Sequence, residues 1–342
     1  MRRIRVLVVE DSLLFREILV RGLSTDPEIE VVATAKDPFE ARDAIIAHRP
    51  DVMTLDVELP KMNGIEFLRK LMPQHPLPVI VISSLSSKVF DALNAGAVDF
   101  VAKPVGAGGI QIEDFVKNEL IEKVKVASVA KVSAKKKAVI QQPPRTEKVA
   151  NKNLVVAIGA STGGTEAIAT VLKEFDADIP GVVIVQHMPP KFTEMYAQRL
   201  DNMCKVRVKE AKTGDVVLPG QVLIAPGGDA HMQLVKVNGT YQVVIKNGPK
   251  VNGHCPSVDV LFQSVAEVVK DNAVGIILTG MGGDGAKGLL AMKKAGARTI
   301  GQDESTCIVY GMPKVAYDIG AVEYQEKLPE IAKRTYSILS KM

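Results

Sequence analysis

The sequence predicts a two-domain α/β protein whose parallel sheets are covered by helices on both faces. Its 342 residues correspond to about two domains at roughly 150 residues each. Short apolar runs rich in valine and isoleucine alternate with longer amphipathic stretches, a pattern typical of strands that helices bury on both sides. The hydrophobic fraction of 46% and the charged fraction of 24% are ordinary for a globular protein. A disordered or fibrous chain is therefore excluded.

The cysteines and the apolar runs exclude further classes of protein. The three cysteines form no CxxC pair, which argues against a disulfide framework and against a zinc ribbon. No apolar run approaches the ~18–20 residues of a membrane span. The apolar stretch near the first residue ends at Val9 and is too short for a secretory signal. We therefore expect a soluble cytoplasmic protein that is not inserted in a membrane.

The first 116 residues contain five apolar runs of strand length. These are residues 6–9, 31–33, 52–55, 79–82 and 99–101. Amphipathic stretches such as Leu13–Leu23 and Pro38–His48 lie between them. Five such units predict a flavodoxin-like (βα)5 domain with a doubly wound sheet, whose site lies at the carboxyl ends of the strands.

Polar side chains follow four of these strands at the predicted site edge. They are Glu10, Asp11, Asp56, Ser83 and Lys103. Each one alone could be a helix cap or a solvated surface group. Three carboxylates in one crevice raise one another's pKa unless a cation neutralises them, and oxygen ligands suit Mg²⁺. With a fixed charge from Lys103 and a hydroxyl donor from Ser83, the group can hold a phosphoryl group transferred to a carboxylate.

Residues 1–116 resemble a response-regulator receiver domain. The resemblance rests on Glu10-Asp11, Asp56 within DVELPKMNG, Ser83, Phe100 and Lys103-Pro104. It implies that Asp56 accepts a phosphoryl group from a histidine kinase, after which Ser83 and Phe100 rearrange. It also implies a Mg²⁺ ion ligated by Asp11, Asp56 and the backbone carbonyl of Glu58, with Glu10 acting through water. Leu59 and Asn63 replace the more usual Met and Asp of this loop, which leaves the chemistry intact.

A basic segment follows the first domain. Residues 117–152 contain ten Lys or Arg against three Glu, whereas the remainder of the chain is net negative. The segment has few large apolar residues to offset the entropy of ordering, so it predicts a solvated Lys-rich linker in which residues 118–130 could form a helix. Nucleic-acid binding is the alternative. We expect none, because the segment has no aromatic residue to stack on a base.

The alternating pattern resumes in residues 153–342 and predicts a second domain. Strands are expected at 154–158, 182–186 and 273–278, and the first and third lead through glycine-rich turns into helices. Residues 216–246 show short strands with turn signals, which predicts a small antiparallel insertion. The frame is a doubly wound, mostly parallel α/β domain.

The two glycine-rich turns, GASTGG and TGMGGDG, could bind a phosphate. GASTGG lacks the ending of a P-loop, and the acid in the second turn would repel a pyrophosphate. GASTG does match GxSxG, in which a serine lies on a tight strand-to-helix turn. Unpaired amides at the start of the following helix could stabilise an oxyanion. Ser161 is therefore a candidate nucleophile.

A nucleophilic serine needs a base, and the base needs an acid to orient it. His187 directly follows an apolar strand, so it should project at the same sheet edge as Ser161. Asp284 follows a third strand and completes the set, although it could instead cap a helix. His48 and His75 are expected at helix ends or in loops, where they are solvated. His231 in the insertion and His254 in a Pro-containing loop could line a cleft, although most histidines in such places are exposed.

Four segments behind the receiver resemble the chemotaxis protein-glutamate methylesterase family. They are GASTGG, QHMPPKFT, GHCPSVDVLF and TGMGGDGAKG. The resemblance implies that Ser161 is the nucleophile, His187 the general base and Asp284 the residue that holds the imidazole. It also implies that the backbone amide of Met281 helps to line an oxyanion hole, with Thr162 beside the serine.

The same resemblance implies a substrate and a mode of control. The substrate is a glutamyl methyl ester on a methyl-accepting chemoreceptor, hydrolysed to glutamate and methanol without a cofactor for the esterase. Family members often also deamidate receptor glutamines. Joining a phosphoryl acceptor to a hydrolase predicts that phosphorylation activates hydrolysis. A DNA-binding or protein-binding output domain, or a nucleotide-binding second domain, is the alternative.

Overall fold

The computed structural model describes residues 2–84, 86–104, 112–113, 115–132 and 153–342. Most of the predicted linker, residues 133–152, lies outside these ranges. The chain divides into two compact units, Met1–Ala138 and Val139–Met342. Each unit is described by itself below.

The first unit is built on a five-stranded parallel sheet. Its strands are β1 (Ile4–Val9), β2 (Ile29–Ala35), β3 (Val52–Asp56), β4 (Val79–Ser83) and β5 (Asp99–Ala102). Its first four helices are α1 (Leu13–Leu23), α2 (Pro38–His48), α3 (Gly64–Leu71) and α4 (Ser86–Ala95). The strand order is β2-β1-β3-β4-β5, and every residue of β3 and β4 is buried. The flavodoxin-like prediction is confirmed.

A further helix packs on the first unit. A π-helical turn, Val116–Leu120, continues into α5 (Ile121–Ser128), and Val116, Leu120 and Val124 are fully buried. The Val116 side chain fills the space beside Gly22 of α1. This part of the predicted linker therefore contributes apolar side chains to the first core, although the linker as a whole is rich in lysine.

The described residues of the second unit form nine strands. They are β6 (Val155–Ala160), β7 (Gly181–Gln186), β8 (Arg207–Glu210), β9 (Gln221–Ile224), β10 (Ala230–Val237), β11 (Thr240–Asn247), β12 (Ala273–Ile277), β13 (Arg298–Gln302) and β14 (Tyr324–Glu326). Seven form a parallel sheet of order β14-β13-β12-β6-β7-β9-β8, and β10 pairs with β11 in antiparallel fashion. The mostly parallel sheet and the small antiparallel element are confirmed.

One part of the insertion prediction is wrong. Residues 221–224 form β9, which pairs in parallel with β7 inside the main sheet. Its three buried residues after Gln221 extend the sheet core. The antiparallel ladder consists of β10 and β11, and Val216 adds an isolated antiparallel bridge to Gln242. The turn signals at 219–220 mark the entry to a parallel strand and not a hairpin.

Helices cover both faces of the second sheet. They are α6 (Gly164–Lys173), α7 (Phe192–Met203), α8 (Val258–Val268), α9 (Ala286–Lys294), α10 (Met312–Asp318) and α11 (Ile331–Leu339). Phe262 of α8 and Leu289 of α9 pack with Leu234 and Val243 of the hairpin in one buried cluster. In the part of the chain that is described, no helix is long and apolar enough to span a bilayer.

Both sheets reverse their winding direction at a point that carries predicted site residues. In the first sheet β1 lies beside β3, and in the second β6 lies beside β12. Loops leaving such neighbouring strands on opposite faces open a crevice at their carboxyl ends. Glu10, Asp11 and Asp56 lie at the first crevice, and Ser161 lies at the second.

Candidate active site and phosphoacceptor site

Ser161 lies on the tight turn between β6 and α6. Its backbone amide donates to the Thr279 carbonyl at 3.0 Å, and its carbonyl accepts from the Gly164 amide at 2.7 Å. Gly163 has a φ of +77°, a left-handed conformation that glycine adopts without strain. The GASTG sequence therefore forms the strand-to-helix turn that the pattern indicated.

The loop after β12 approaches this turn closely. A Cβ atom built on Gly280 would lie 2.7 Å from the Cβ of Ser161, so a side chain there would push the two loops apart. Met281, the next residue, has a side chain that is 45% exposed. Thr162 is buried, and its carbonyl accepts from the Thr279 hydroxyl at 3.0 Å. Thr162 and Met281 thus belong to loops in contact around Ser161.

His187 leaves the neighbouring strand at the same step as Ser161. Ala160 and Gln186 are register partners at the ends of β6 and β7, and the two site residues follow them. The His187 amide donates to the Ala160 carbonyl at 3.2 Å. Because adjacent strands lie about 4.8 Å apart, the backbones of Ser161 and His187 are neighbours at one edge of the sheet.

Asp284 receives five hydrogen bonds. The donors are His187 Nε2 at 2.9 Å, Asn252 Nδ2 at 2.9 Å, Ser257 Oγ at 2.7 Å, and the backbone amides of Val258 at 2.7 Å and Asp259 at 3.2 Å. Burial opposes the ionisation of this carboxyl, but the hydrogen bonds from His187, Asn252 and Ser257 outweigh it and hold the pKa of Asp284 below its usual range. Asp284 is therefore an anion near neutral pH.

The helix that Asp284 contacts is not the one that follows it in the chain. Gly285, with a φ of +88°, occupies the cap position of α9. The Asp284 carboxylate instead lies at the amino terminus of α8, where free amides and the helix dipole favour an anion. Asp284 therefore caps α8 and not the helix that follows it in the chain, and it makes this contact together with the hydrogen bond from His187.

The bond to Asp284 assigns the two ring nitrogens of His187. Nε2 faces the carboxylate and therefore carries the proton in the neutral ring. Nδ1 is buried and has no hydrogen-bond partner among the described residues. Nδ1 is thus the nitrogen that can accept a proton.

A second histidine covers the ring of His187. The rings of His187 and His254 stack with centroids 3.7 Å apart and planes at 17°. The loop that carries His254 is anchored by His231, whose Nδ1 accepts from the Ser257 amide at 3.1 Å and whose Nε2 donates to the Pro249 carbonyl at 2.9 Å.

These two histidines, with Asn252 and Ser257, are the site residues that sequence reasoning missed. His231 is buried, although its place in the insertion favoured an exposed side chain. His254, Ser257 and Asn252 could have been found from their clustering in and beside GHCPSVDVLF, whereas His231 lies on β10 and had no such signal. His48 and His75 are exposed, as expected.

The predicted acidic cluster of the first unit is assembled. Glu10, Asp11 and Asp56 each offer an oxygen atom, and these atoms lie within 4.8 Å of one another. Lys103 Nζ contacts both carboxylate oxygens of Glu10 at 3.0 Å and Oδ2 of Asp56 at 2.7 Å. The backbone amide of Glu58 donates to Asp56 Oδ1 at 2.9 Å.

One lysine does not neutralise this cluster. Burial and the charge of Asp56 raise the pKa of Glu10 to about 7, although Lys103 acts in the opposite direction. Burial also works against the charge of Lys103, but its contacts with Asp56 and Glu10 raise the pKa of that amine. An all-oxygen donor set that lacks positive charge fits a Mg²⁺ ion.

The remaining predicted residues of the first unit lie on β4 and β5. Ser83 is the last residue of β4 and is buried, and its carbonyl accepts from the Lys103 amide at 2.9 Å. Phe100 is buried on β5 and packs edge-to-face with Phe90 at 6.5 Å between centroids. Ser83 therefore lies on the strand next to β3, whereas Phe100 lies one strand further from the acidic cluster.

Known proteins with similar sequences share both units. A family described as CheB methylesterase matches residues 156–335, and one described as response regulator receiver domain matches residues 6–112. A protein named protein-glutamate methylesterase/protein-glutamine glutaminase 2 from Syntrophomonas wolfei is 60% identical over 100% of this chain and 99% of its own length. A protein-glutamate methylesterase/protein-glutamine glutaminase from Syntrophotalea carbinolica is 53% identical over 99% of this chain and 98% of its own length.

A solved structure resembles the second unit. The crystal structure of the Thermotoga maritima CheB methylesterase catalytic domain is 37% identical to this chain and has a TM-score of 0.53. The match covers 55% of this chain and 98% of that domain. The parallel sheet with its antiparallel hairpin is therefore an architecture already seen in that domain.

Proposed function

The chain belongs to the CheB methylesterase family and carries a receiver domain, and on this basis we propose that it is a protein-glutamate methylesterase and protein-glutamine glutaminase. Its substrates are glutamyl methyl esters on methyl-accepting chemoreceptors, which it hydrolyses to glutamate and methanol. Receptor glutamines are deamidated to glutamate with release of ammonia. This reaction resets receptor signalling in bacterial chemotaxis.

The pair formed by His187 and Asp284 beside the Ser161 turn is the observation that carries this proposal. A serine hydroxyl is essentially un-ionised at neutral pH, so a base must take its proton during attack. We assign that role to His187 Nδ1, because Nε2 is engaged by Asp284. Asp284 holds the ring and stabilises the imidazolium that forms.

The reaction proceeds in two proton-balanced stages. Ser161 Oγ attacks the ester carbonyl while its proton passes to His187 Nδ1, and the same proton then leaves with methanol. Water next attacks the acyl-enzyme and gives its proton to Nδ1, which passes this proton to the departing Ser161 Oγ as the glutamate side chain is released. Amides at the start of α6 and the Met281 amide line the oxyanion hole, where one donor is worth roughly 3–4 kcal/mol.

Control resides in the receiver domain. We assign Asp56 as the acceptor of a phosphoryl group from a chemotaxis histidine kinase. Asp11, Asp56 and the Glu58 carbonyl would hold Mg²⁺, with Glu10 acting through water, and the ion would neutralise charge on the incoming phosphoryl group. Lys103 adds a fixed charge, and Ser83 and Phe100 rearrange after phosphorylation. The unphosphorylated receiver restrains the hydrolase.

The domain organisation follows from the same proposal. The catalytic domain spans residues 153–342. The receiver spans residues 1–116, and the Lys-rich linker spans residues 117–152, of which α5 buries apolar side chains on the first unit. The protein acts in the cytoplasm on chemoreceptors and receives its phosphoryl group from a histidine kinase, without a nucleic-acid partner. Nucleotide binding at the second glycine-rich turn is disfavoured, because its Asp284 is ionised and engaged in five hydrogen bonds.

A methanol-release assay on methylated chemoreceptor tests the proposal. Ser161→Ala should abolish methanol release, because the acyl-enzyme cannot form, and it should leave the fold intact because the hydroxyl is removed at a partly exposed turn. Circular dichroism and thermal unfolding check the fold. Methanol release that survives this substitution would remove Ser161 from the mechanism.

A further inference from the structure

Gln186 is a buried amide between the two proposed reacting residues. It is the last residue of β7 and is 3% exposed. Its Nε2 donates one hydrogen bond to the Ser161 carbonyl at 3.0 Å and another to the His187 carbonyl at 3.1 Å. Both hydrogens of one amide group are therefore used to join the backbones of these two residues.

This bridge lies where the backbone ladder of the sheet ends. The register of β6 and β7 finishes at Ala160 and Gln186, and the last backbone bond runs from the His187 amide to the Ala160 carbonyl. Beyond that step one chain turns into α6 and the other enters the loop that leads to α7. The Gln186 side chain thus replaces the missing ladder at the first step where the two chains would separate.

The start of α6 leaves room for this amide. A Cβ atom built on Gly164 would overlap Oε1 of Gln186 and would lie 2.6 Å from the Cβ of Ala160. Oε1 is buried and has no hydrogen-bond partner among the described residues, which costs free energy. The stabilising interactions of the Gln186 side chain are therefore the two hydrogen bonds from Nε2 to the carbonyls of Ser161 and His187.

We propose that Gln186 is a positioning residue that fixes the alignment of the Ser161 hydroxyl with His187 Nδ1. It acts through the two backbones and does not touch the substrate. The inference rests on the proposed roles of Ser161 and His187. A misplacement of reacting atoms by about 1 Å can cost roughly 10²-fold in rate, so a bridge between their backbones has a measurable effect.

Gln186→Met tests this proposal, because methionine is of similar length and cannot donate a hydrogen bond. Two quantities are measured: kcat and KM for methanol release, and the rate constant for Ser161 modification by a fluorophosphonate. The probe needs no chemoreceptor. We expect kcat and the modification rate each to fall by roughly 10²-fold, since both depend on alignment. KM should stay within about twofold, since no substrate contact is removed.

Thr299→Val is the matched control. Thr299 is fully buried in the same sheet, its hydroxyl donates to the Ala321 carbonyl at 2.7 Å and it accepts from the Glu323 amide at 3.1 Å. It lies near the amino-terminal end of β13, opposite to the site edge. Like Gln186→Met, Thr299→Val removes two buried hydrogen bonds between a side chain and the backbone. It should lower the melting temperature of the protein, and the rate of Ser161 modification should stay as in the original protein.

The outcomes separate positioning from stability. A folded Gln186→Met variant with unchanged kcat and modification rate would overturn the proposal. So would loss of the folded state in both Gln186→Met and Gln186→Glu, because the amide would then be required for folding. If the original protein reacts with the probe at Ser161 but releases no methanol from chemoreceptor, the substrate assignment fails while the positioning test remains decisive.

Discussion

Glu10 in the first unit and Asp284 in the second occupy comparable places in their sheets, but their pKa values are shifted in opposite directions. Both are buried and lie beyond the carboxyl ends of strands at the switch point of a parallel sheet. Burial and a neighbouring carboxylate raise the pKa of Glu10 to about 7. Five hydrogen-bond donors outweigh burial and lower the pKa of Asp284.

The difference shows that the negative charge of carboxylates at the carboxyl edge of a parallel sheet can be compensated in two ways. The second unit supplies all the donors that its anion needs, so its site is assembled by the chain alone. The first unit brings three carboxylates together with one lysine and leaves negative charge uncompensated. We therefore expect the second site to be independent of divalent cations and the first to depend on them.

The largest expected effect comes from removing the anion of the second site. Asp284→Asn should lower kcat for methanol release by about 10⁴-fold, because a neutral amide neither holds the productive tautomer of His187 nor stabilises the imidazolium. Asp259→Asn is the control, since Asp259 accepts from Asn252 and Gly288 in the same network but does not contact His187. A loss of less than tenfold for Asp284→Asn would contradict the role assigned to this carboxylate.

The next largest effect is expected from removing divalent cations, which should affect the first site and not the second. Chelation of divalent cations should abolish phosphorylation of Asp56 by a small-molecule phosphodonor, and with it the stimulation of methanol release. The basal rate of methanol release should not change, because protein hydrogen-bond donors stabilise the negative charge of Asp284 without a metal ion. The measurement is methanol release with and without phosphodonor, in Mg²⁺ or in chelator, and Asp56→Asn in Mg²⁺ should match the chelated protein. A fall of the basal rate in chelator would contradict the expectation that the second site is independent of divalent cations.

The smallest effect is on stability and has a defined sign. Glu10 has a pKa of about 7 in the folded protein against an ordinary value of 4.5, so the folded state loses stability as the pH rises from 4.5 through about 7. Glu10→Gln removes this loss. In chelator at pH 8 the first unit should become more stable by at most about 3 kcal/mol, because a shift of about 2.5 pKa units is worth about 1.4 kcal/mol per unit and the lost contact with Lys103 reduces the gain.

Denaturant unfolding at pH 5 and at pH 8 measures this difference. The gap between Glu10→Gln and the original protein should be larger at pH 8 than at pH 5. Glu17→Gln makes the same charge change on the exposed face of α1 and should not reproduce it. A Glu10→Gln variant that is less stable than the original protein at pH 8 would mean that the contact with Lys103 dominates.

The order and type of most elements could be predicted from the sequence because they depend on local patterns. Short runs of three to six residues, rich in valine and isoleucine, indicate strands that are buried on both faces, and the glycines of GASTG indicate a tight turn. Parallel strands present their carboxyl ends at one edge, so Ser161 and His187 could be placed together without coordinates. β9 escaped this reasoning, since a four-residue strand has the same local pattern in a parallel as in an antiparallel sheet.

Contacts between distant segments were decided by the tertiary structure. His187 and Asp284 are 97 residues apart, and the helix terminus that holds Asp284 belongs to a third segment. Neither the stacking of His254 nor the bridge made by Gln186 has a periodic signature, because each depends on one side chain meeting atoms from other elements. The sequence by itself determined which strand ends carry reactive groups. The packing of loops around those ends decided which nitrogen of His187 is left free to act and which carboxylates keep their charge.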